Sequence, residues 1–425
     1  MLRVLAANGK EGRLARLALA KSRTTPDFAA LRDAMPIVED VLAGGREALV
    51  RAVTRFDGET PKALVVDPSR GAAPKVDASF ARAFRVAEKR IRAYHRHQLP
   101  KGFAFRDALG VAFREVPSPL DAVGVYVPGG RAFYPSSLLM GVVPAQVARV
   151  PRIVVATPPR AYRESAELRW ALHALGVRSV LLAGGAHGIA GLVSVAGVAK
   201  IVGPGNRWVA AAKHLVSGLV GVDLPAGPSE VVILASPDAD AERIAADLLA
   251  QAEHDPEAVC LLYTSSRALA DRVSQALVSL LETLPTRETA RASLTARGLG
   301  LVFPTLEAAA RAAAESAGEH VQAMGKGAER FAALLLPTAG ALFVGEDTPT
   351  AFGDYLAGPN HVLPTGGAAR SYSGLSVRDF VRFGRSVSFS RKAARALAPV
   401  AARLARFEGL EGHARALDLR AGKPR

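Results

Sequence analysis

The chain has 425 residues, 49% of them apolar and 22% charged, with a formal charge of +15 and one cysteine. That length suffices for two or three domains with large cores, and the balance is that of an ordinary soluble globular protein. The lone Cys260 excludes an intramolecular disulfide framework, leaves any thiol mechanism or cysteine zinc cage to one residue, and suits a reducing compartment.

The start, "MLRVLAANGKEGRLARLALAKSR", has charges through its apolar part and no small-residue cleavage site, so no leader is expected. Residues 1–115 read as mainly helical, including "FAALRDAMPIVEDVLAGGREALVRAVTRFDG". Within them "ARAFRVAEKRIRAYHRHQ", residues 81–98, is a basic helix carrying Phe84 and Tyr94. Its apolar residues recur at helical spacing, which predicts a core-packed helix with a solvated basic face. No nucleic-acid motif accompanies the charge, so no nucleic-acid partner is expected.

From residue 122 short apolar runs alternate with helical patterns. "AVGVYV", "RIVVATPP", "SVLLAGG", "KIVGPG", "SEVVILAS" and "AVCLLYTSS" are each followed by a helix-period segment. Such alternation predicts parallel sheets covered by helices, with ligands near glycine turns at strand ends. Cys260 falls in one such run and reads as an inert buried strand residue. Residues 179–199 are long enough to span a bilayer, but they contain His187 and five glycines. They read as strand, turn and buried helix, so no membrane span is expected.

The next helix opens at Ser236-Pro237, carries Ile244, Ala245, Leu248, Leu249 and Ala252 at helical spacing, and stops before Pro256. At its end Gln251 and His254 share a face, while Glu253 points elsewhere. By themselves the two residues fit a capped, half-buried helix end better than a metal site, because the two-histidine helical signature of zinc is absent. "GPGN" puts Asn206 at a helix start, and no G-x-G-x-x-G fingerprint is present. In "AGPSEVV" the residue two after Ser229 is Val231, not the glycine a nucleophile elbow needs, which disfavours a serine hydrolase.

"SAGEHVQAM" sets Glu319 beside His320 near the end of an alanine-rich helix, suited to proton transfer or to a helix-end ion pair. "FGDYLAGPNHVLPTGG" places Asp354, Asn360 and His361 in a Gly/Pro loop. After residue 376 the chain returns to helices, and "FEGLEGH" puts Glu408 and His413 near its end. Proline-glycine clusters near residues 130 and 228 divide two α/β halves.

Taken in order, "GVYVPGGRAFYPSS", "VGPGNRWVAAAK", "DLPAGPSEVV", "DLLAQAEHD" and "TPTAFGDYLAGPNHVLPTGGAARSYSGLSV" closely resemble histidinol dehydrogenase, from "VTRFDG" to "EGLEGH". The resemblance implies an α/β chain with two incomplete Rossmann-like, parallel-sheet domains, a helical N-terminal segment (1–30) and a helical C-terminal tail (376–425). Residues 31–130 with 229–375 would form a discontinuous domain carrying zinc and the catalytic residues. Residues 131–228 would form the cofactor-binding domain.

It further implies a cytoplasmic zinc enzyme of histidine biosynthesis that oxidises L-histidinol to L-histidine through the aldehyde, using two NAD+. One Zn2+ per subunit would be held by Gln251, His254, Asp354 and His413. His320 and Glu319 would be the acid/base pair. Ser229, His361 and Glu408 would touch substrate alongside Gln251, His254, His320, Asp354 and His413. Tyr126, His187 and Asn206 would contact NAD+. The tail would reach a partner subunit, making a homodimer with shared sites.

Three positions depart from the family pattern. His187 stands where glutamine is usual, Gly318 where proline is, and Gln322 where glutamate is. These departures admit a related zinc and NAD dehydrogenase of another small polar alcohol, such as sulfopropanediol. A zinc hydrolase using the same ligands is the reading from a different class. Glu408 suits a cationic amine or imidazole and so favours histidinol.

Overall fold

The computed structural model describes residues 2–24, 27–60, 62–129, 134–223 and 227–422. The chain opens with β1 (Arg3–Ala6), α1 (Lys10–Thr24), α2 (Phe28–Phe56), β2 (Val65–Val66) and α3 (Ala78–Arg96), then β3 (Phe103–Arg106) and β4 (Ala112–Pro119). A first alternation runs through β5 (Ala122–Tyr126), α4 (Pro135–Val147), β6 (Arg152–Thr157), α5 (Pro159–Glu164), α6 (Ala166–Ala174) and β7 (Ser179–Leu182). It continues with α7 (Gly185–Ser194), β8 (Lys200–Val202), α8 (Arg207–Val216) and β9 (Gly221–Val222).

A second alternation runs through β10 (Glu230–Ala235), α9 (Ala241–Ala252), β11 (Val259–Thr264), α10 (Arg267–Thr283), α11 (Arg287–Arg297) and β12 (Gly298–Val302). Next come α12 (Leu306–Ser316), β13 (His320–Met324), α13 (Lys326–Glu329), α14 (Ala332–Leu335), β14 (Ala341–Val344) and α15 (Ala351–Tyr355). β15 (Val381–Ser388), α16 (Arg391–Phe407) and α17 (Glu411–Ala421) end the chain.

Two six-stranded sheets result, ordered β2-β7-β6-β5-β8-β9 and β1-β12-β11-β10-β13-β14. All pairs are parallel except β2 with β7. Each alternation starts at the centre, lays its second and third strands to one side and its fourth and fifth to the other. The strand order therefore reverses between β5 and β8, and between β10 and β13. A continuous apolar strand can face two helical layers at once. On β10, Val231, Ile233 and Ala235 enter one core, while Val232 and Leu234 enter the other.

Several early segments lie elsewhere than the sequence suggests. β1 adds an edge strand beside β12, so the N-terminal segment is not purely helical. α2 packs on α7 and α8, with Leu49, Leu181, Ile189 and Leu192 in one cluster, and β5 is the central strand of the same sheet. Residues before 130 thus complete the sheet formed by residues 152–222. Gly45, at φ 55 and ψ −130, breaks α2 where a side chain would be strained. α3 buries Phe84, Ala87 and Ile91 as its spacing predicts, and Phe84 meets Trp170 edge-on at 5.6 Å.

Two compact units divide the chain. The larger, residues 1–98 and 121–380, contains both six-stranded sheets. The smaller, residues 99–120 and 381–425, has the antiparallel sheet β15-β4-β3, with α16 packed on α17 around Ala402, Ala405 and Ala414. The helices expected at both ends are present, and these strands add an antiparallel sheet that the sequence does not show. β4 mixes charges with prolines, β15 carries two arginines and a glycine, and the two pair across more than 250 residues, so local pattern does not reveal them. Among the described residues no helix is long and apolar enough to cross a membrane.

One helix contact can be tested directly. Gly141 lies inside α4, and a Cβ there would collide with Val125 Cγ1 on β5. Ala in a helix interior gains about 1 kcal/mol over Gly, whereas overpacking costs about 1–3 kcal/mol. Gly141→Ala should therefore lower stability by up to about 2 kcal/mol in urea unfolding. An increase in stability would show that the α4–β5 contact relaxes freely.

Candidate active site

The residues singled out by sequence fall into three groups. The first lies where β10 and β13 begin. Glu319 and His320 do not end a helix. α12 stops at Ser316, Ala317 takes a left-handed turn (φ 45, ψ 53), and His320 is the first residue of β13. Parallel pairing sets His320 opposite Val231, which brings both side chains to the Glu230 peptide. The Glu230 N–H donates to Glu319 Oε2 at 2.7 Å. His320 Nδ1 lies 3.2 Å from the Glu230 carbonyl, which can only accept, so Nδ1 carries a proton. Glu319 Oε2 is 3.6 Å from the same Nδ1.

Burial works to lower the basicity of His320. The charge and hydrogen bond of Glu319, with Asp354 and the Glu230 carbonyl, outweigh it and push its pKa up to about 9.

Gly318 is explained locally: a Cβ there would come within 2.7 Å of Val232 Cγ2, where the turn enters beside β10. On the same strand Gln322 donates from Nε2 to Asp247 Oδ2 at 2.7 Å. Burial pushes the Asp247 carboxyl up, opposed by that hydrogen bond. Gln322 thereby ties β13 to α9.

α9 starts at Ala241, later than the Ser236-Pro237 signal, because the Asp240 carboxylate caps Glu242 and Arg243. Its last turn carries Gln251, 5% exposed, whose Nε2 has no hydrogen-bond partner among the described residues. His254 follows just beyond the helix and is exposed. Asp354, on α15, lies 3.4 Å from His361 Nδ1. Burial acts to raise the Asp354 carboxyl, but His361, His320 and His254 together hold it below the ordinary range. Ser229 is half-buried just ahead of β10, its carbonyl accepting from Val259 N.

Among the described residues no three His, Cys, Asp or Glu side chains converge to hold a metal by themselves. A cation here requires the Gln251 amide or a donor from elsewhere. Cys260 offers none: it is fully buried and desolvation pushes its thiol up to about 12.

The second group stands at the C-terminal edge of the other sheet. The Tyr126 hydroxyl accepts from Gly185 N at 2.9 Å, and burial pushes its pKa up to about 12 against that bond. His187 is buried, its Nε2 lying 2.8 Å from Asp57 Oδ2 and its ring stacked on Phe56. Asp57 also accepts from Gly184 N. Asn206 caps α8 through Trp208 N and Val209 N and is exposed.

The third group, Glu408 and His413, belongs to the smaller unit, where both are exposed. Sequence reading assigned no role to Glu230 or Asp57. An acidic residue inside the apolar run "PSEVVILA" was the available signal for the first. Asp57 had none, because its partners are about 130 residues away.

The raised pKa of His320 has a testable sign. A histidine whose folded pKa exceeds its unfolded value of 6.5 adds stability that is full below about 6.5 and fades as pH rises through about 9. In buffer with chelator, thermal stability should include a decline across pH 7–9 that Glu319→Gln largely removes. An unchanged pH slope in that variant would show that the carboxylate does not sustain the imidazolium.

Comparison with known proteins bears on the whole chain. A sequence model of the histidinol dehydrogenase family matches residues 21–421. Histidinol dehydrogenase of Rhizobium meliloti is 43% identical over 392 residues, covering 90% of each chain. That of Bradyrhizobium diazoefficiens is 42% identical over 416 residues, covering 96% of each. The crystal structure of histidinol dehydrogenase from Elizabethkingia anophelis superposes with a TM-score of 0.87 at 27% identity, over 99% of this chain and 98% of that one. The chain belongs to the histidinol dehydrogenase family of oxidoreductases.

Proposed function

We propose that the protein is a cytoplasmic, zinc-dependent enzyme of histidine biosynthesis that oxidises L-histidinol to L-histidine in two NAD+-linked steps. The observation carrying this reading is the Glu319–His320 couple, anchored on the Glu230 peptide beside Asp354 and His361. The donor set suits zinc. Gln251 is buried at the end of α9 with no hydrogen-bond partner for its Nε2 among the described residues, His254 follows three residues on, and Asp354 supplies one carboxylate. The fourth position falls to His413 from the tail of a second copy. When bound, zinc would supply a Lewis-acid anchor for substrate nitrogen and NAD+ would accept hydride.

The chain's own residues do the rest. His320 takes the hydroxyl proton as the alcohol is oxidised. To act as base it must first give up the proton that Glu319 stabilises. The rising limb of kcat/KM therefore ends at or below about pH 9. Glu319 then accepts a proton from the water adding to the aldehyde, and the second oxidation yields the carboxylate. No thiol takes part, consistent with the buried Cys260. His361 and Glu408 would orient the cationic substrate, with Ser229 beside them. Tyr126, His187 and Asn206 would line the cofactor crevice. His187 would act there through its ring face, since Nε2 is engaged by Asp57.

The test is reduced-cofactor absorbance with purified protein, zinc, NAD+ and L-histidinol. Two NADH per histidinol are expected; no turnover with metal loaded, or another small alcohol outpacing histidinol by orders of magnitude, rejects the reading. His254→Ala should lose zinc and activity together. His320→Ala should retain zinc and slow oxidation by about 10²–10⁴-fold.

A homodimer is part of the same proposal. On α16, Val400, Leu404 and Phe407 are 62%, 62% and 81% exposed and share one helical face. An apolar stripe of that kind is ordinarily covered by a partner, and the shared-site reading makes that partner a second copy. Leu404→Glu with Phe407→Asp should shift the chain to monomer in light scattering and abolish turnover. A dimer that persists unchanged would place the subunit contact elsewhere.

A further inference from the structure

α8 is an apolar helix with a lysine on its buried side. Lys213 is 5% exposed, and its Nζ donates to the Gly203 carbonyl at 2.9 Å. The same Nζ forms an ion pair with Asp223 Oδ1. Asp223 Oδ2 accepts the Gly203 N–H at 2.7 Å. One buried pair of opposite charges therefore holds both the N–H and the C=O of a single glycine.

That glycine needs holding. Gly203 has φ +119, and a Cβ would collide with the Tyr126 carbonyl, so the turn is pressed against the end of β5. Tyr126 in turn accepts from Gly185 N at the start of α7. The pair, the turn, the tyrosine and the α7 opening form one connected series at the C-terminal ends of β5 and β8, where the strand order reverses. Burying two charges is costly, and apolar residues of similar size usually pack such a helix as well or better. Packing alone therefore does not account for Lys213.

We propose that Lys213 and Asp223 are positioning residues for the dinucleotide, fixing the 203–206 turn so that Tyr126 and Asn206 are held at the spacing the cofactor requires. The inference rests on the proposed cofactor crevice, and neither residue touches the cofactor. Lys213→Met removes the donor to Gly203 and leaves Asp223 as an unpaired buried charge, which can itself weaken the fold. Lys213→Met with Asp223→Asn removes that charge while keeping an acceptor for the Gly203 N–H.

With the full-length chain, calorimetric titration of NAD+ should show at least tenfold weaker binding for both variants. The KM for histidinol and zinc per chain should stay within about twofold of the unaltered protein. The double variant should recover the thermal midpoint without recovering affinity. If it also recovers affinity, the pair serves only charge balance and the inference is overturned. Equal losses of NAD+, zinc and histidinol binding overturn it too, as general disruption. Failure of the unaltered chain to bind NAD+ overturns the crevice reading and this inference together.

Discussion

Glu230 is the residue on which the polar centre depends. Its N–H holds the Glu319 carboxylate, its C=O takes the His320 proton, and its own Oε1 accepts from Gly366 N at 3.1 Å. Hydrogen bonds to charged groups contribute about 1.5–3 kcal/mol, and leaving such a group unpaired when buried costs at least as much. This works only because β10 and β13 are parallel neighbours in a fixed register. A one-residue slip would turn His320 to the other face of the sheet. The arrangement also decides which imidazole nitrogen is available: with Nδ1 bound to a carbonyl, Nε2 is the nitrogen left for chemistry.

The two six-stranded sheets share a strand order but concentrate their polar residues at opposite edges. Tyr126, the Gly184-Gly185 turn, His187 and Asn206 lie at strand C-termini, where α7 and α8 begin. Helix N-termini carry partial positive charge, which suits an anionic ligand. Glu319, His320 and Ser229 lie where strands begin, and there α9 ends at Gln251 and Ala252. A helix C-terminus carries partial negative charge, which suits a cation. One topology used twice therefore offers two electrostatic environments, depending on which edge is lined with side chains.

The departures from the family pattern have local physical reasons. Gly318 relieves a collision with Val232 at the entry to β13. Gln322 is a hydrogen-bond donor to a buried Asp247, a role that an ionised glutamate could not fill. His187 spans the gap to Asp57 and stacks on Phe56, so its imidazole ties α7 to the end of α2. Each substitution is accommodated within its own neighbourhood, and the Glu319–His320 couple keeps its anchors.

Much of this protein was legible in its sequence. The alternation from residue 122 onward gave strands β5 to β8, β10 and β11 and their helices, because strand and helix periodicities are local properties of a few consecutive residues. The ordered motifs pointed to the family. The pairing of β1 with β12 and of β4 with β15 was not legible, nor was the placement of Glu319 and His320 at the head of a strand rather than the end of a helix. Nor were Asp57 beside His187 and the Lys213–Asp223 pair around Gly203. Those depend on contacts between residues tens to hundreds of positions apart, which are set by how whole sheets assemble and leave no periodic trace in the chain.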